Sequence, residues 1–401
     1  MTDRDLDLVL LGATGFTGGL TADYLARHAP DGLRWGIAGR DPEKLAAVRD
    51  RLVAAVPDRP GLADLALVTA DVTDADRSGS LAALAGRTRV LVSTVGPYLT
   101  HGEPVVAACA EAGTDYVDLT GEPEFVDTMY VRYDAVARAT GARIVHACGF
   151  DSVPHDLGAF YTVHQLAAVG PVTLRGVVRA KAGLSGGTFH SALGQLSRPR
   201  QLRAAAAARR RIERERPAGV PGEPRSSRAV AGRPHRDPEL GYWLVPLPTI
   251  DPQIVARSGA ALAAYGPEFR YSHYAGTRTL RYAAGGIAGV GALALGAQVG
   301  PVREWLGRRL PQGAGPGAGR RDGSWFTVDF VGEGDGRTIH TRVSGGDPGY
   351  TETSRMLAES ALCLALDDNP PTAGSVTTAQ AMGENLLRRL VAAGIRFEVV
   401  S

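Results

Sequence analysis

Lysine is almost absent from this chain: Lys44 and Lys181 stand against 42 arginines in 401 residues. We read that bias as base composition of the coding sequence and expect no nucleic-acid partner. Cysteine is nearly as scarce. Cys109, Cys148 and Cys363 are odd in number, widely spaced and without a CxxC pair. A disulfide framework and a zinc site are therefore disfavoured, no metal site is expected, and a reducing cytosol fits. GxSxG, HExxH and Walker loops are also missing, so hydrolase, zinc peptidase and phosphotransferase chemistry has no support. Tyr98, Tyr116, Tyr130, Tyr133 and Tyr161 all lack the lysine of a Tyr-x-x-x-Lys pair. The start, MTDRDLDLVLLGATG, carries an acidic flank and only a strand-length apolar run, unlike a signal peptide.

What is present describes a soluble globular chain of two to three domains, at about 150 residues each. Apolar residues make up 44% and charged residues 21%. Glycine is enriched at 51 copies, well above the usual ~7%, which points to tight turns and close backbone approaches. The net charge of +2 is uneven, because residues 198–236 hold twelve arginines and three acids.

Residues 1–150 alternate short apolar runs with amphipathic stretches. Strands are expected at Leu6–Leu11, Leu33–Ala38, Leu65–Ala70, Arg89–Val95, Tyr116–Leu119 and Arg143–Ala147, with helical patterns near 18–28, 42–55, 78–85, 103–112 and 124–140. That beat predicts an α/β fold, a Rossmann-type doubly wound parallel sheet. From 151 to 345 it gives way to a mixed α+β substrate domain. Strands are expected there at Val172–Ala180, Tyr242–Pro248, Thr327–Val331 and Thr338–Val343, the last two joined by a hairpin at Asp335–Arg337. Residues 198–236 read as an Arg/Ala helix followed by a loop, and 346–401 as helices packing back on the first domain. Tyr282–Val302 is free of charge and bracketed by arginines. A true span, an interfacial membrane contact and a buried helix all remain open for it, and we expect contact with lipid or an acyl chain without crossing.

Gly12-Ala13-Thr14-Gly15-Phe16-Thr17-Gly18 follows the first strand pattern and opens the first helical one. Such a loop lets backbone N–H groups at the positive helix end approach a pyrophosphate, which a side chain at the turn would prevent. The second strand ends in Ala38-Gly39-Arg40, where an NAD-selective site usually carries an acid. Arg40 offers a guanidinium fork to a 2′-phosphate, so NADP is the expected cofactor; its other reading is an ordinary exposed arginine, with Asp41 next in line. Asp71, closing the third strand, is placed to meet the adenine amine or to cap the next turn. Ser93, Thr94, Val95, Gly96 and Pro97 end the fourth strand and should line the nicotinamide side.

GATGFTG, AGR, STVGPY, YVDLTGE, HACGFDSVPHD, LSGGT and DPGYTETSRMLAESALCLA, in this order, resemble the saccharopine dehydrogenase-like oxidoreductases, and within them the trans-acting enoyl reductase branch. The resemblance runs nearly end to end, with 198–236 and 282–302 poorly matched. It implies a Rossmann NADP domain, a substrate domain and reduction of a C=C bond in a polyketide-derived or lipid acyl chain. In such systems the reductase works beside a synthase that lacks its own enoyl-reducing domain, with products for envelope lipids and glycolipids. A cytoplasmic protein in peripheral contact with the inner face of the plasma membrane is the matching expectation. His155 stands where the family more often carries a small polar residue. Two rivals remain: a saccharopine reductase-like enzyme acting on an imine or amino-acid C–N bond, and a Rossmann protein that senses NADP(H) without turnover.

Enoyl reduction needs a donor for the developing enolate oxygen and a proton for the α-carbon. Tyr98 is a candidate donor, or else a packing tyrosine. Asp118 and Glu122 end the fifth strand and either touch substrate or fix the loop. Cys148 reads as a buried small hydrophobe, and Asp151 and Ser152 as caps for the next helix. Lys181 precedes Ser185-Gly186-Gly187-Thr188, a turn that can present N–H groups to a carbonyl or carboxylate while Lys181 adds charge.

Overall fold

The computed structural model describes residues 4–73, 79–182, 193–215, 225–302, 305 and 323–401. Leu6–Leu11 forms β1, buried along its whole length, as a central strand covered on both faces must be. There follow α1 (Phe16–His28), β2 (Trp35–Gly39), α2 (Pro42–Ala55), β3 (Ala66–Thr69), α3 (Ser80–Arg87), β4 (Thr88–Ser93), α4 (Tyr98–His101), α5 (Glu103–Ala112), β5 (Asp115–Asp118), α6 (Pro123–Thr140) and β6 (Arg143–Val145). Local signals set the ends. Asp41 accepts the Glu43 and Lys44 amides at 3.1 Å to start α2, and left-handed Gly113 and Gly141 stop α5 and α6.

The second region runs α7 (Val153–Leu166), β7 (Val172–Lys181), α8 (Pro199–Glu215), β8 (Ser226–Ala229), β9 (His235–Arg236), β10 (Trp243–Pro246), α9 (Asp251–Ala261), β11 (Glu268–Thr277), α10 (Leu280–Ala297), β12 (Trp325–Gly334) and β13 (Arg337–Gly345). The chain closes with α11 (Thr351–Leu366), β14 (Gly374–Val376), α12 (Thr378–Ala381), α13 (Gly383–Ala392) and β15 (Arg396–Val399).

The first sheet is parallel throughout, in the order β14-β6-β5-β4-β1-β2-β3. Its strand order reverses between β1 and β4, and the crevice at their carboxyl ends is where such sheets take a nucleotide. The second sheet is mixed, in the order β15-β13-β12-β7-β11-β10-β9 with β8 beside β11; β7 and β8 run parallel to β11 and the other pairings are antiparallel. One hydrophobic core joins the two sheets, from Leu8 and Leu10 through Leu157 and Val163 of α7 to Phe326 and Phe330 of β12. Gly158 permits that contact, because a β-carbon there would lie 2.3 Å from the Phe330 ring.

The α/β fold class and the six early strands agree with expectation, with three corrections. The C-terminal residues do more than return as helices: α11 packs on α1, β4 and β5, while β14 extends the first sheet beside β6 and β15 extends the second beside β13. The stretch after α8 is strand at β8 and β9 where a loop was expected, because β11 and β10 offer free edges there. The sixth strand stops at Val145, since Ala147 turns to a left-handed φ of 61° and gives its amide to the Asp118 side chain at 2.9 Å instead of the ladder.

Candidate active site

The loop after β1 turns at Gly12, whose φ of +95° favours glycine. The Gly12 amide bonds the Ala38 carbonyl at 2.9 Å, and Gly15 N–H bonds the Gly12 carbonyl at 3.0 Å. β-Carbons on Gly12 or Gly18 would collide with Thr94 Oγ1, at 2.6 and 2.7 Å. Gly15 holds the N-cap position of α1 without any side-chain cap, and the first turn carries no acid. The positive helix end is thus left to an incoming anion, and the residues fit a pyrophosphate. Ala13 is buried behind the loop, Phe16 stacks edge-on against Tyr350 at 4.9 Å, and the Thr17 carbonyl accepts from Ser354 at 3.4 Å, so α11 braces the loop.

Arg40 is exposed at the end of β2 and makes no ion pair among the described residues. Asp41 does not compete with it, because its carboxylate caps α2 and pairs with Lys44 at 3.2 Å. Asp71 accepts from the Thr73 amide and hydroxyl at 2.9 and 2.8 Å, which hold its carboxyl below the ordinary value. It therefore caps its own turn beside Arg40. At the end of β4 the Ser93 hydroxyl is buried without a partner among the described residues, Thr94 donates to the Leu11 carbonyl at 3.1 Å, and Val95 presses on Gly12. Gly96 and Pro97, joined by a cis peptide bond, continue along the crevice.

Tyr98 is held inside the protein. Its hydroxyl donates to the Ser93 carbonyl at 3.0 Å and accepts from the Leu119 amide at 3.1 Å, tying β4 to β5, and burial drives the phenol well above its usual value. These contacts are those of its packing reading. Glu122 is equally committed, accepting from the Leu99 and Tyr98 amides at 2.8 and 3.3 Å. Asp118 and Cys148 are fully buried, the former bonded to His146. Lys181 closes β7 in register with Trp325 and is exposed. Its partner turn, Ser185–Thr188, lies outside the described residues.

Asp151 and Ser152 were expected to cap the next helix; Ser152 occupies the N-cap position of α7, but no side chain makes a capping hydrogen bond there. The Asp151 carboxyl instead faces Gly121, 2.8 Å from where a β-carbon there would sit, and accepts no hydrogen bond among the described residues. Burial pushes it up to about 6, with the Asp251 carboxylate adding to the shift. Beyond it lie His155, Asp251 and His273. Burial pulls His273 down to about 4, whereas the rings of His155 and His273 overcome burial at Asp251 and hold its carboxyl low. No sequence signal joined these residues, which come from three separate elements.

Residues just after the undescribed stretch bridge to this site. Gln195 donates to the Gly121 carbonyl at 2.6 Å, and Arg198 grips Glu124 at 2.7 Å. Gln298, one residue past α10, donates to the Leu196 carbonyl. The apolar helix therefore ends beside the crevice. Leu280–Ala297 is long and apolar enough to cross a membrane by length and composition, and only 12% of it is buried, so it is no core helix.

Residues 8–145 match the saccharopine dehydrogenase NADP binding domain. With the loop geometry, that match defines an NADP-dependent oxidoreductase with a Rossmann domain. A Mycobacterium tuberculosis protein provisionally named as a trans-acting enoyl reductase is 39% identical over 436 residues, covering 99% of this chain and 98% of the relative. A trans-acting enoyl reductase of Mycobacterium bovis is 36% identical over 422 residues, covering 98% and 97%. The chain belongs to the trans-acting enoyl reductase family of saccharopine dehydrogenase-like oxidoreductases. Apo saccharopine dehydrogenase (L-Glu forming) from Saccharomyces cerevisiae shares the fold, with a TM-score of 0.52 at 14% identity over 98% of this chain and 99% of that one.

Proposed function

We propose that this enzyme reduces the C=C bond of a polyketide-derived or lipid acyl thioester carried on a synthase, for envelope lipid or glycolipid biosynthesis. The observation that carries the reading is the line of contacts from exposed α10 through Gln298, Leu196 and Gln195 to Gly121, beside Asp151. An acyl chain lying along that helix would bring its thioester to the crevice. NADPH, when bound, supplies the hydride for the β-carbon. Asp151 gives the proton to the α-carbon, being the carboxyl at the crevice without a hydrogen-bond partner among the described residues. Gly12–Gly18 and Arg40 hold the cofactor phosphates, and Tyr98 and Glu122 fix the 97–99 turn around the reacting end.

The same helix makes the protein peripheral at the inner face of the plasma membrane. Leu280, Tyr282, Val290 and Leu295 are 56%, 64%, 49% and 74% exposed, Arg278 and Arg281 precede the run, and Trp305 follows it. Parallel pairing of Ala275 with Val178 sets Lys181 at the sheet end from which α10 leaves, where Arg179 also stacks on Tyr242 at 4.3 Å. An apolar helix with a basic and aromatic rim suits an anionic lipid interface.

The test follows NADPH absorbance with purified protein and either a long-chain trans-2-enoyl thioester or a 2-oxo acid with an amine. Turnover of the enoyl thioester is expected. Turnover confined to the imine-forming pair, or none with any acceptor despite NADPH binding, would replace the reading by one of its two rivals. Flotation with anionic liposomes, lost in Val290→Asp/Leu295→Asp, checks the membrane contact.

A further inference from the structure

We propose that His155, Asp251 and His273 bind a divalent transition-metal ion, with zinc the best match, at the junction of the two sheets. Their possible ligand atoms all lie within 4.8 Å of one another. They come from three elements: His155 from the first turn of α7, Asp251 from the first residue of α9 and His273 from the middle of β11. Each is nine-tenths or more buried, at 2%, 3% and 4% exposure.

Buried polar groups are nearly always satisfied, and His155 Nε2 is unsatisfied among the described residues. His155 Nε2 has no hydrogen-bond partner among those residues, while Nδ1 faces Asp251 Oδ1 at 2.9 Å. The rings on its other sides, Phe150 at 5.5 Å and His273 at 4.9 Å, meet it edge to face and offer no acceptor in line. The imidazole and the carboxylate oxygen are close enough to share a cation.

His273 supplies the second feature. Its Nδ1 lies 3.0 Å from the Tyr271 hydroxyl, leaving Nε2 toward the centre, 3.6 Å from Asp251 Oδ2. Ligand imidazoles ordinarily have their other nitrogen oriented in this way by an outer partner. Bonds of about 2.0–2.2 Å to nitrogen and oxygen require donors roughly 3–4 Å apart, which a small inward turn of the rings provides. Two imidazoles and one carboxylate, with no thiolate, select borderline divalent ions and leave a fourth position open. The ion would join α7, which leaves the first sheet, to β11 of the second.

The experiment takes the full chain freed of any affinity tag, strips it with chelator, and titrates it with Zn²⁺ by calorimetry and with Co²⁺ by visible absorption. One equivalent of Zn²⁺, a rise in melting temperature, and the d–d bands of low-symmetry Co²⁺ displaced by zinc are expected. His155→Ala and Asp251→Asn should each weaken binding by at least tenfold. Wild-type protein that shows no Co²⁺ bands and no saturable Zn²⁺ site overturns the proposal even if the variants fail to fold. So does binding that is unchanged in well-folded His155→Ala, which would assign the metal to surface histidines.

Discussion

A β-carbon on Gly18 would lie 2.1 Å from the carbonyl oxygen of Gly12, so the first turn of α1 packs directly on the backbone of the preceding loop. Gly15 is different: a β-carbon there meets only that same oxygen, at 3.4 Å. Gly18→Ala should therefore destabilise the protein by about 1–3 kcal/mol through overpacking. Gly15→Val should melt near the wild-type temperature and lose NADPH affinity on the order of a hundredfold, about 3 kcal/mol. Thermal melts beside fluorescence titration separate the two.

Arg40 should set cofactor preference. A guanidinium–phosphate contact contributes roughly 1.5–3 kcal/mol, so Arg40→Ala should reduce the preference for NADPH over NADH by about 10- to 150-fold. Equal wild-type affinities for both cofactors would assign the exposed arginine no part in binding.

Asp151→Asn should lower kcat by roughly 10²–10⁴ while the Kd for NADPH stays unchanged, because the amide keeps the shape and loses the proton. Tyr98→Phe breaks the tie from Ser93 to Leu119 and should instead reduce stability by about 1 kcal/mol, with a smaller effect on kcat.

The pair of Asp7 and Arg34 predicts a pH effect on stability. Hydrogen bonds from Arg34 hold the Asp7 carboxyl below its ordinary 3.8. A depressed carboxyl stabilises the fold above its unfolded value and loses that contribution as pH falls through its folded one. Because the Arg34 side chain is half exposed, Asp7→Asn should cost only about 0.5–1 kcal/mol at pH 7. Urea midpoints of the two proteins should converge below pH 3.8.

The parallel sheet was legible because each of its first six strands is an apolar run closed by turn residues, and the glycine loop because it follows one of them. β14 and β15 were not, being three and four residues long and without a pattern of their own; each forms only because β6 or β13 presents an edge. The cofactor side of the site was readable from local spacing. Its other side was not: Asp151 was grouped with Ser152 as a cap, whereas the fold turns its carboxyl toward Gly121, and the His155, Asp251 and His273 cluster is assembled by tertiary packing. His155 stood out as unusual, but its partners lie about 100 residues away in Asp251 and His273. The apolar segment 282–302 showed its length and lack of charge, while its exposure and the contact from Gln298 to Leu196 needed the fold.

The most direct test of hydride delivery to an acyl C=C bond is a single turnover with NADPH carrying deuterium at both C4 positions and a long-chain trans-2-enoyl thioester, the product being read by mass spectrometry. The account predicts one deuterium at the β-carbon and, in D₂O with unlabelled NADPH, one at the α-carbon. A saturated product without label from the cofactor, or cofactor that binds and is never oxidised, would contradict it.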